Sequence, residues 1–243
     1  MGRMNASPRA RWRPAGAGTR PLVVAHRGVV GPAPENTLES ISAAIAVGSD
    51  AAEVDVRRNW SGRLILAHDP LPASRGALHP APFPVGAPAP VELADALLLA
   101  RGRLGLNLEL KDPGLAADVA AVISDLSPPQ EILVSSFLES EIETLAQLLP
   151  GCPTGLVRGA LGVSGRGLPG VVRQALACGA THLVIERHRA RDRVLDGAVD
   201  SGLQVLVWTV NQPTQLRRLL HDPRVYGVIT DQTGIALGLR AEG

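Results

Sequence analysis

The sequence predicts a single parallel (β/α)8 TIM barrel, and three observations carry that prediction. Short β-branched runs alternate with longer helix-like segments about eight times, which favours a closed parallel barrel over an open sheet. Apolar residues make up 45% of the 243-residue chain but aromatics only 2%, so Leu, Val, Ile and Ala must fill the core, as they do in the layered interior of a barrel. Imidazole, carboxylate and basic side chains fall at the ends of the apolar runs, where a barrel gathers its chemistry.

The strand candidates are, in order, Leu22–Ala25, Ala52–Val56, Leu64–Ala67, Gly105–Leu110, Ile132–Ser135, Thr154–Val157, His182–Ile185, Gln204–Trp208 and Gly227–Ile229. Helical patterns lie between most of them: Asn36–Val47, Val91–Ala100, Leu115–Leu126, Leu138–Leu149, Val171–Ala177, Arg191–Ser201 and Pro213–His221. Thr37 or Asn36 caps the first helix and Gly48 follows its end, while Pro213 stands in the first turn of the seventh, where proline is tolerated. Asn59, Ser61 and Gly62 make the link between the second and third runs a hairpin turn. Seven prolines between residues 70 and 90 block helix and ladder bonding there. This stretch is read as a short proline-rich loop after the second strand region, in place of a larger insertion.

Residues 21–243 are expected to form one domain. Residues 1–20 carry Arg3, Arg9, Arg11, Arg13 and Arg20 without an apolar core, and read as a disordered basic tail rather than a secretory signal. A net charge of +1 argues against a broad nucleic-acid surface, and no run of about 18 apolar residues predicts a membrane span. The two cysteines, Cys152 and Cys178, read as buried reduced thiols of a cytoplasmic protein.

Glu53 and Asp55 stand two apart on an apolar strand, so they share a face. A hard divalent cation between them would relieve their repulsion. The competing reading turns both to water and packs Val54 and Val56 inward. Glu109 repeats the pattern at another strand end, and a third carboxylate at the same mouth would complete an all-oxygen site for Mg²⁺, Ca²⁺ or Mn²⁺. Lys111 lies on the face of Glu109 and is the one lysine among 24 basic residues, in a chain that elsewhere uses arginine, which points to a chemical role. His26 and His68 each follow an apolar run and can divide acid and base roles, and Arg27 suits bidentate phosphate recognition. His79, His182, His188 and His221 read as structural or solvated.

In this order His26-Arg27-Gly28, Pro34-Glu35-Asn36-Thr37, Glu53-Val54-Asp55-Val56, His68-Asp69, Glu109-Leu110-Lys111, Ser135-Ser136-Phe137, Val207-Trp208-Thr209-Val210-Asn211 and Ile229-Thr230-Asp231 resemble glycerophosphodiester phosphodiesterases. The landmarks run from residue 22 to about 231; no single triplet is specific, but the ordered series is. The resemblance implies a barrel binding one divalent cation, Mg²⁺ or Ca²⁺, through Glu53, Asp55 and Glu109. It implies His26 and His68 as the acid–base pair, Arg27 and Lys111 as phosphate contacts, and Trp208 on the glycerol side of the pocket. Glu35 and Asn36 would brace the mouth. The implied reaction is hydrolysis of a glycerophosphodiester to glycerol 3-phosphate and an alcohol through a cyclic phosphate, with a small-molecule substrate as partner.

Asn59-Trp60-Ser61-Gly62 departs from the family's usual turn, and the segment after His68-Asp69 is replaced by the proline-rich loop, which predicts an open site with loose discrimination among alcohols. Three rivals stand beside this reading. They are a phospholipase-D-like enzyme of intact lipids, a non-catalytic binding barrel, and an aldolase with Lys111 as its Schiff-base lysine. The last leaves the carboxylates and histidines unexplained.

Overall fold

The computed structural model describes residues 12, 20–31, 33–70, 90–159 and 169–242. The proline-rich loop lies outside the described residues except at its two ends, and so does most of the basic tail. The strands are β1 (Leu22–His26), β2 (Ala51–Arg58), β3 (Leu64–Leu66), β4 (Gly105–Leu110), β5 (Ile132–Ser136), β6 (Thr154–Arg158), β7 (His182–Glu186), β8 (Gln204–Trp208) and β9 (Gly227–Thr230). The helices are α1 (Leu38–Val47), α2 (Leu93–Ala100), α3 (Ala116–Leu126), α4 (Glu139–Leu148), α5 (Pro169–Ala177), α6 (Asp192–Asp200), α7 (Pro213–Leu220) and α8 (Thr233–Ala241).

Eight strands pair in parallel around a closed ring, β1-β2-β4-β5-β6-β7-β8-β9 and back to β1. The closure sets His26 level with Glu53 on one side of β1 and Ala25 level with Thr230 on the other. The ninth strand, β3, lies outside the ring, antiparallel to the far end of β2.

Alternation sorts each strand's side chains into two layers. Val24, Ala51, Leu133, Val157, Val184, Leu206 and Ile229 fill the interior of the ring. Ala52, Val54 and Val56 face outward, with Ile41, Ala44, Leu93 and Leu97 of α1 and α2 in the same buried cluster. The reading that packs Val54 and Val56 into the interior is therefore not realised; they pack against the helical layer and leave the interior to Glu53 and Asp55.

Helix α1 begins with a capping box: Ser40 N–H donates to the Thr37 hydroxyl at 3.1 Å and Thr37 N–H to the Ser40 hydroxyl at 3.2 Å. Gly48 ends it in the left-handed conformation. The expected α1 began at Asn36, but residues 36 and 37 are taken by cap and mouth contacts. Helix α8 is absent from the sequence expectation, because Gly234 and Gly238 weaken its helical pattern. Packing overrides propensity there: Ala236 and Leu239 are buried, and Arg240 pairs with Asp50, which also accepts from Val23 N–H at 2.8 Å. The last helix is thus fastened to the first strand.

The end of the ring away from the mouth is plugged by aromatic rings. Trp12 is only 2% exposed, with its ring centroid 6.2 Å from His182 and 6.4 Å from Tyr226. Its indole N–H donates to Glu131 O at 3.1 Å. Burying this indole removes a large apolar surface from water. His182 is buried among these rings, and burial pushes its pKa down to about 3.

Above the ordinary imidazole value of about 6.5, His182 is neutral in both folded and unfolded chains. Below it the unfolded chain gains a proton that the folded chain refuses, so stability falls by about 1.4 kcal/mol per pH unit from this group. Denaturant melts between pH 6.5 and 4.5 should therefore show a shallower pH dependence for His182→Gln than for the natural chain, by one proton. Equal slopes would remove His182 from the account.

Candidate active site

Glu53 and Asp55 of β2 and Glu109 of β4 point into the mouth of the ring, with Asp55 and Glu109 opposite each other in the ladder. One oxygen from each lies within 4.8 Å of the others. A hard cation with bonds of about 2.1–2.5 Å spans such a set, and the donors are all carboxylate oxygens. The cluster therefore fits a metal ion held by oxygen donors. Burial, with Asp55 and Glu109 close by, pushes the Glu53 carboxyl well above the usual carboxylate range.

Lys111 already supplies one positive charge. Its Nζ stands 2.8 Å from Asp55 Oδ1 and is also ion-paired with Glu109. Burial opposes its charge, but the two carboxylates outweigh burial and hold its pKa above the ordinary value. Burial likewise works against the Asp55 anion, yet Lys111, Asn36 and Arg27 hold its pKa low. Asn36 grips Asp55 twice: its amide donates to Asp55 Oδ2 and its carbonyl accepts from Asp55 N–H, both at 2.9 Å.

The turn after β1 is built for this mouth. Among the described residues, Arg27 and Asn36 are the two non-glycine residues with positive φ, at 55° and 56°. Such conformations cost energy and tend to be kept where function fixes them. At Gly28 φ is +80°, and a Cβ would stand 2.4 Å from the Ser40 hydroxyl, so only glycine fits. The resulting turn aims Arg27 N–H at Glu53 Oε2, 3.0 Å away. The Arg27 guanidinium lies between Glu35, at 2.8 Å, and Asp55, at 3.4 Å.

His26 ends β1. Its Nδ1 is 2.6 Å from Asp231 Oδ1, in the loop after β9. His68 reaches the mouth by a route unlike a barrel strand end. Strand β2 overruns the ring, turns at 59–62, where Asn59 Oδ1 accepts from Ser61 and Arg63 N–H, and returns as β3. The return ends with Ala67 N–H donating to Asp55 O at 3.0 Å, which sets His68 beside the carboxylate strand. Trp208 ends β8, where its indole N–H donates to Val184 O and Phe137 packs edge-on against it at 5.9 Å. The sequence-predicted residues thus share one face of the barrel. Arg27, Glu53, Asp55, Glu109 and Lys111 are joined by direct contacts, while His68 and Trp208 flank them.

The sequence pattern of the glycerophosphoryl diester phosphodiesterase family matches residues 26–74 and 109–235. The chain belongs to this family. It is 23% identical to the glycerophosphodiester phosphodiesterase of Caldanaerobacter subterraneus subsp. tengcongensis, over 91% of this chain and 98% of that one. Among solved structures it is similar to a phosphodiesterase of Oleispira antarctica in complex with the product sn-glycerol-3-phosphate, with a TM-score of 0.74, 23% identity, and coverage of 90% of this chain and 96% of that one. It is also similar to the glycerophosphodiester phosphodiesterase of Thermotoga maritima, with a TM-score of 0.72, 21% identity, and coverage of 91% and 99%.

Two residues of this glycerophosphodiester phosphodiesterase family member escaped assignment from sequence: Asp231 and Asn211. Asn211 donates to Asp231 Oδ2 at 2.5 Å and accepts from Asp231 N–H at 3.0 Å, fixing the carboxylate that holds His26. The hydrogen bond with His26, helped by Asn211 and only partly opposed by burial, keeps the Asp231 pKa low. Both residues stand within the motifs that carry the resemblance, which was the available signal. Only closure of the ring reveals their partner.

Two outcomes follow from this geometry. Asp231→Asn should lower kcat by about 10- to 100-fold through loss of the imidazole's orienting carboxylate, with KM little changed; steady-state kinetics check it. Asp55→Asn should abolish thermal stabilisation of the protein by added Mg²⁺ or Ca²⁺, read in melting curves.

Proposed function

We propose that this protein is a cation-dependent hydrolase of glycerophosphodiesters, yielding glycerol 3-phosphate and an alcohol. The observation that carries the proposal is the meeting, at one barrel mouth, of three carboxylates with His26, Arg27 and Lys111 in a member of this family. Glu53, Asp55 and Glu109 would hold one Mg²⁺ or Ca²⁺ ion. Once bound, such an ion supplies Lewis acidity and neutralises charge on phosphate oxygens.

The chain's own groups fit the remaining tasks. The substrate's free glycerol hydroxyl attacks phosphorus, and one of His26 and His68 takes its proton. The other returns a proton to the departing alcohol, leaving a cyclic phosphate. Water then adds to phosphorus and opens the ring with the proton roles reversed, so no covalent protein nucleophile is required. Asp231 holds Nδ1 of His26, leaving Nε2 for the substrate. Arg27 and Lys111 would face the non-bridging phosphate oxygens, the lysine as a point charge and the arginine as a fork. Trp208 would bound the glycerol side. Burial pushes the Cys152 thiol up to about 12, which fits a structural thiol and not a nucleophile.

The two free, buried cysteines support a reducing, cytoplasmic setting. A net charge of +1 supports a small-molecule substrate over nucleic acid. Among the described residues no helix is long and apolar enough to cross a membrane, and we propose no stable membrane association.

The test is release of glycerol 3-phosphate from glycerophosphocholine by the purified chain. Release should stop with EDTA and return with Mg²⁺ or Ca²⁺. His26→Ala and His68→Ala should each lower kcat by about 10²- to 10⁴-fold. A variant of either histidine with full activity would end the acid–base assignment. No release with any cation, together with hydrolysis of intact lysophospholipid, would shift the substrate class to lipids.

A further inference from the structure

Arg57 is the next residue of β2 on the face of Glu53 and Asp55, two positions beyond Asp55. Its Nε–H donates to the backbone carbonyl of His68 at 3.0 Å. Its Nη1 is ion-paired with Asp112, the residue after Lys111, and Asp112 Oδ2 also accepts from Arg58 N–H at 3.4 Å. One guanidinium therefore ties the segment bearing His68 to the strand of Glu53 and Asp55 and to the segment that follows Glu109 and Lys111. The side chain is 13% exposed, so this bracket is largely shielded from water.

The bracket sits where the His68 segment needs it. The ladder between β2 and β3 ends at Leu66, and Ala67 N–H makes the last backbone bond to β2, with Asp55 O. His68 is the following residue, and its ring Nδ1 is engaged by its own neighbour Asp69, which is 91% exposed. The other histidine of the mouth has a partner anchored elsewhere in the barrel, since Asp231 is itself fixed by Asn211. His68 is instead held through its main chain, and the group that holds it is Arg57.

We infer that Arg57 is a positioning residue that sets the His68 imidazole relative to the carboxylate cluster. The inference rests on the hydrolase reading above. A planar guanidinium suits the task because Nε and Nη1 point in fixed directions, one to the His68 carbonyl and one to Asp112. A lysine offers a single ammonium and cannot hold both partners in that geometry. Arg57 touches no reacting atom in this account; Asp112 keeps the Arg58 N–H when Arg57 is removed, whereas the His68 carbonyl loses its guanidinium donor, so the effect on turnover should run through His68. Displacement of a catalytic group by about 1 Å costs roughly 10²-fold in rate.

The experiment compares the natural chain, Arg57→Gln, Arg57→Lys, His68→Ala and the double variant Arg57→Gln/His68→Ala on glycerophosphocholine with Mg²⁺. Arg57→Gln should lower kcat by about 10- to 100-fold. Its KM should stay within about twofold of the natural value, and its thermal stabilisation by Mg²⁺ should be unchanged. Arg57→Lys should fall between the natural chain and Arg57→Gln. The double variant should be no slower than His68→Ala, because a residue acting through His68 has nothing further to lose. Arg57→Gln with natural kcat, or a double variant slowed by the full Arg57→Gln factor below His68→Ala, overturns the inference. Histidine ring NMR of the full chain gives a reading independent of turnover: the His68 signals, assigned by their loss in His68→Ala, should shift or broaden in Arg57→Gln while those of His26 stay in place. A natural chain that turns over no glycerophosphodiester ends the hydrolase reading, and the NMR comparison then decides Arg57's role by itself, unchanged His68 signals overturning it. If Arg57→Gln fails to fold, Arg57→Lys carries the same comparisons.

Discussion

Three carboxylates crowded into the mouth of a barrel repel one another, and the local structure follows from that constraint. Asp55 and Glu109 face each other across one ladder, and Glu53 stands one inward position below Asp55. An isolated group of this kind would take up protons or drive the strands apart. Positive charge and hydrogen-bond donors close around it instead. Lys111 lies between Asp55 and Glu109, Arg27 lends a main-chain N–H to Glu53, and Asn36 supplies both halves of its amide to Asp55. Two residues are held in left-handed backbone conformations to deliver these contacts, which places local strain beside the group with the greatest need of compensation.

The two histidines are supported in different ways, and the barrel's connectivity explains why. His26 ends a ring strand, so the neighbouring strand β9 brings a carboxylate to its ring nitrogen. His68 follows a strand outside the ring, and among the described residues main-chain and guanidinium contacts hold its segment in place. The arrangement also separates duties along β2. Its outward residues pack against α1 and α2, while Glu53 and Asp55 on its inward face join the carboxylate cluster. Packing and chemistry therefore occupy opposite faces of one strand and do not compete for the same positions.

Much of this was legible in the sequence because periodicity fixes faces. Glu53 and Asp55 had to share one, and so did Glu109 and Lys111. Which face was interior was not legible for β2, since valines and carboxylates alternate and either assignment packs plausibly by itself; the helix layer settles it. Asp231 and Asn211 were not assigned because their relation to His26 depends on ring closure across most of the chain, a contact no local pattern reports. Helix α8 was missed because its two glycines dilute the apolar pattern that packing against the closed ring overrides. Trp12 was missed because an arginine-rich neighbourhood conceals a single aromatic residue that the barrel floor takes in.

The pairing of β1 with β9 brings His26 to a carboxylate 205 residues further along the chain. The orienting bond of this histidine therefore cannot exist in a partly synthesised chain, however well its early strands have paired. A ribosome-bound intermediate lacking β9 would hold the three carboxylates, both histidines and the lysine, yet its first imidazole would swing without a partner. One pairing, β1 with β9, thus both seals the ring and gives the imidazole on the first strand its carboxylate partner.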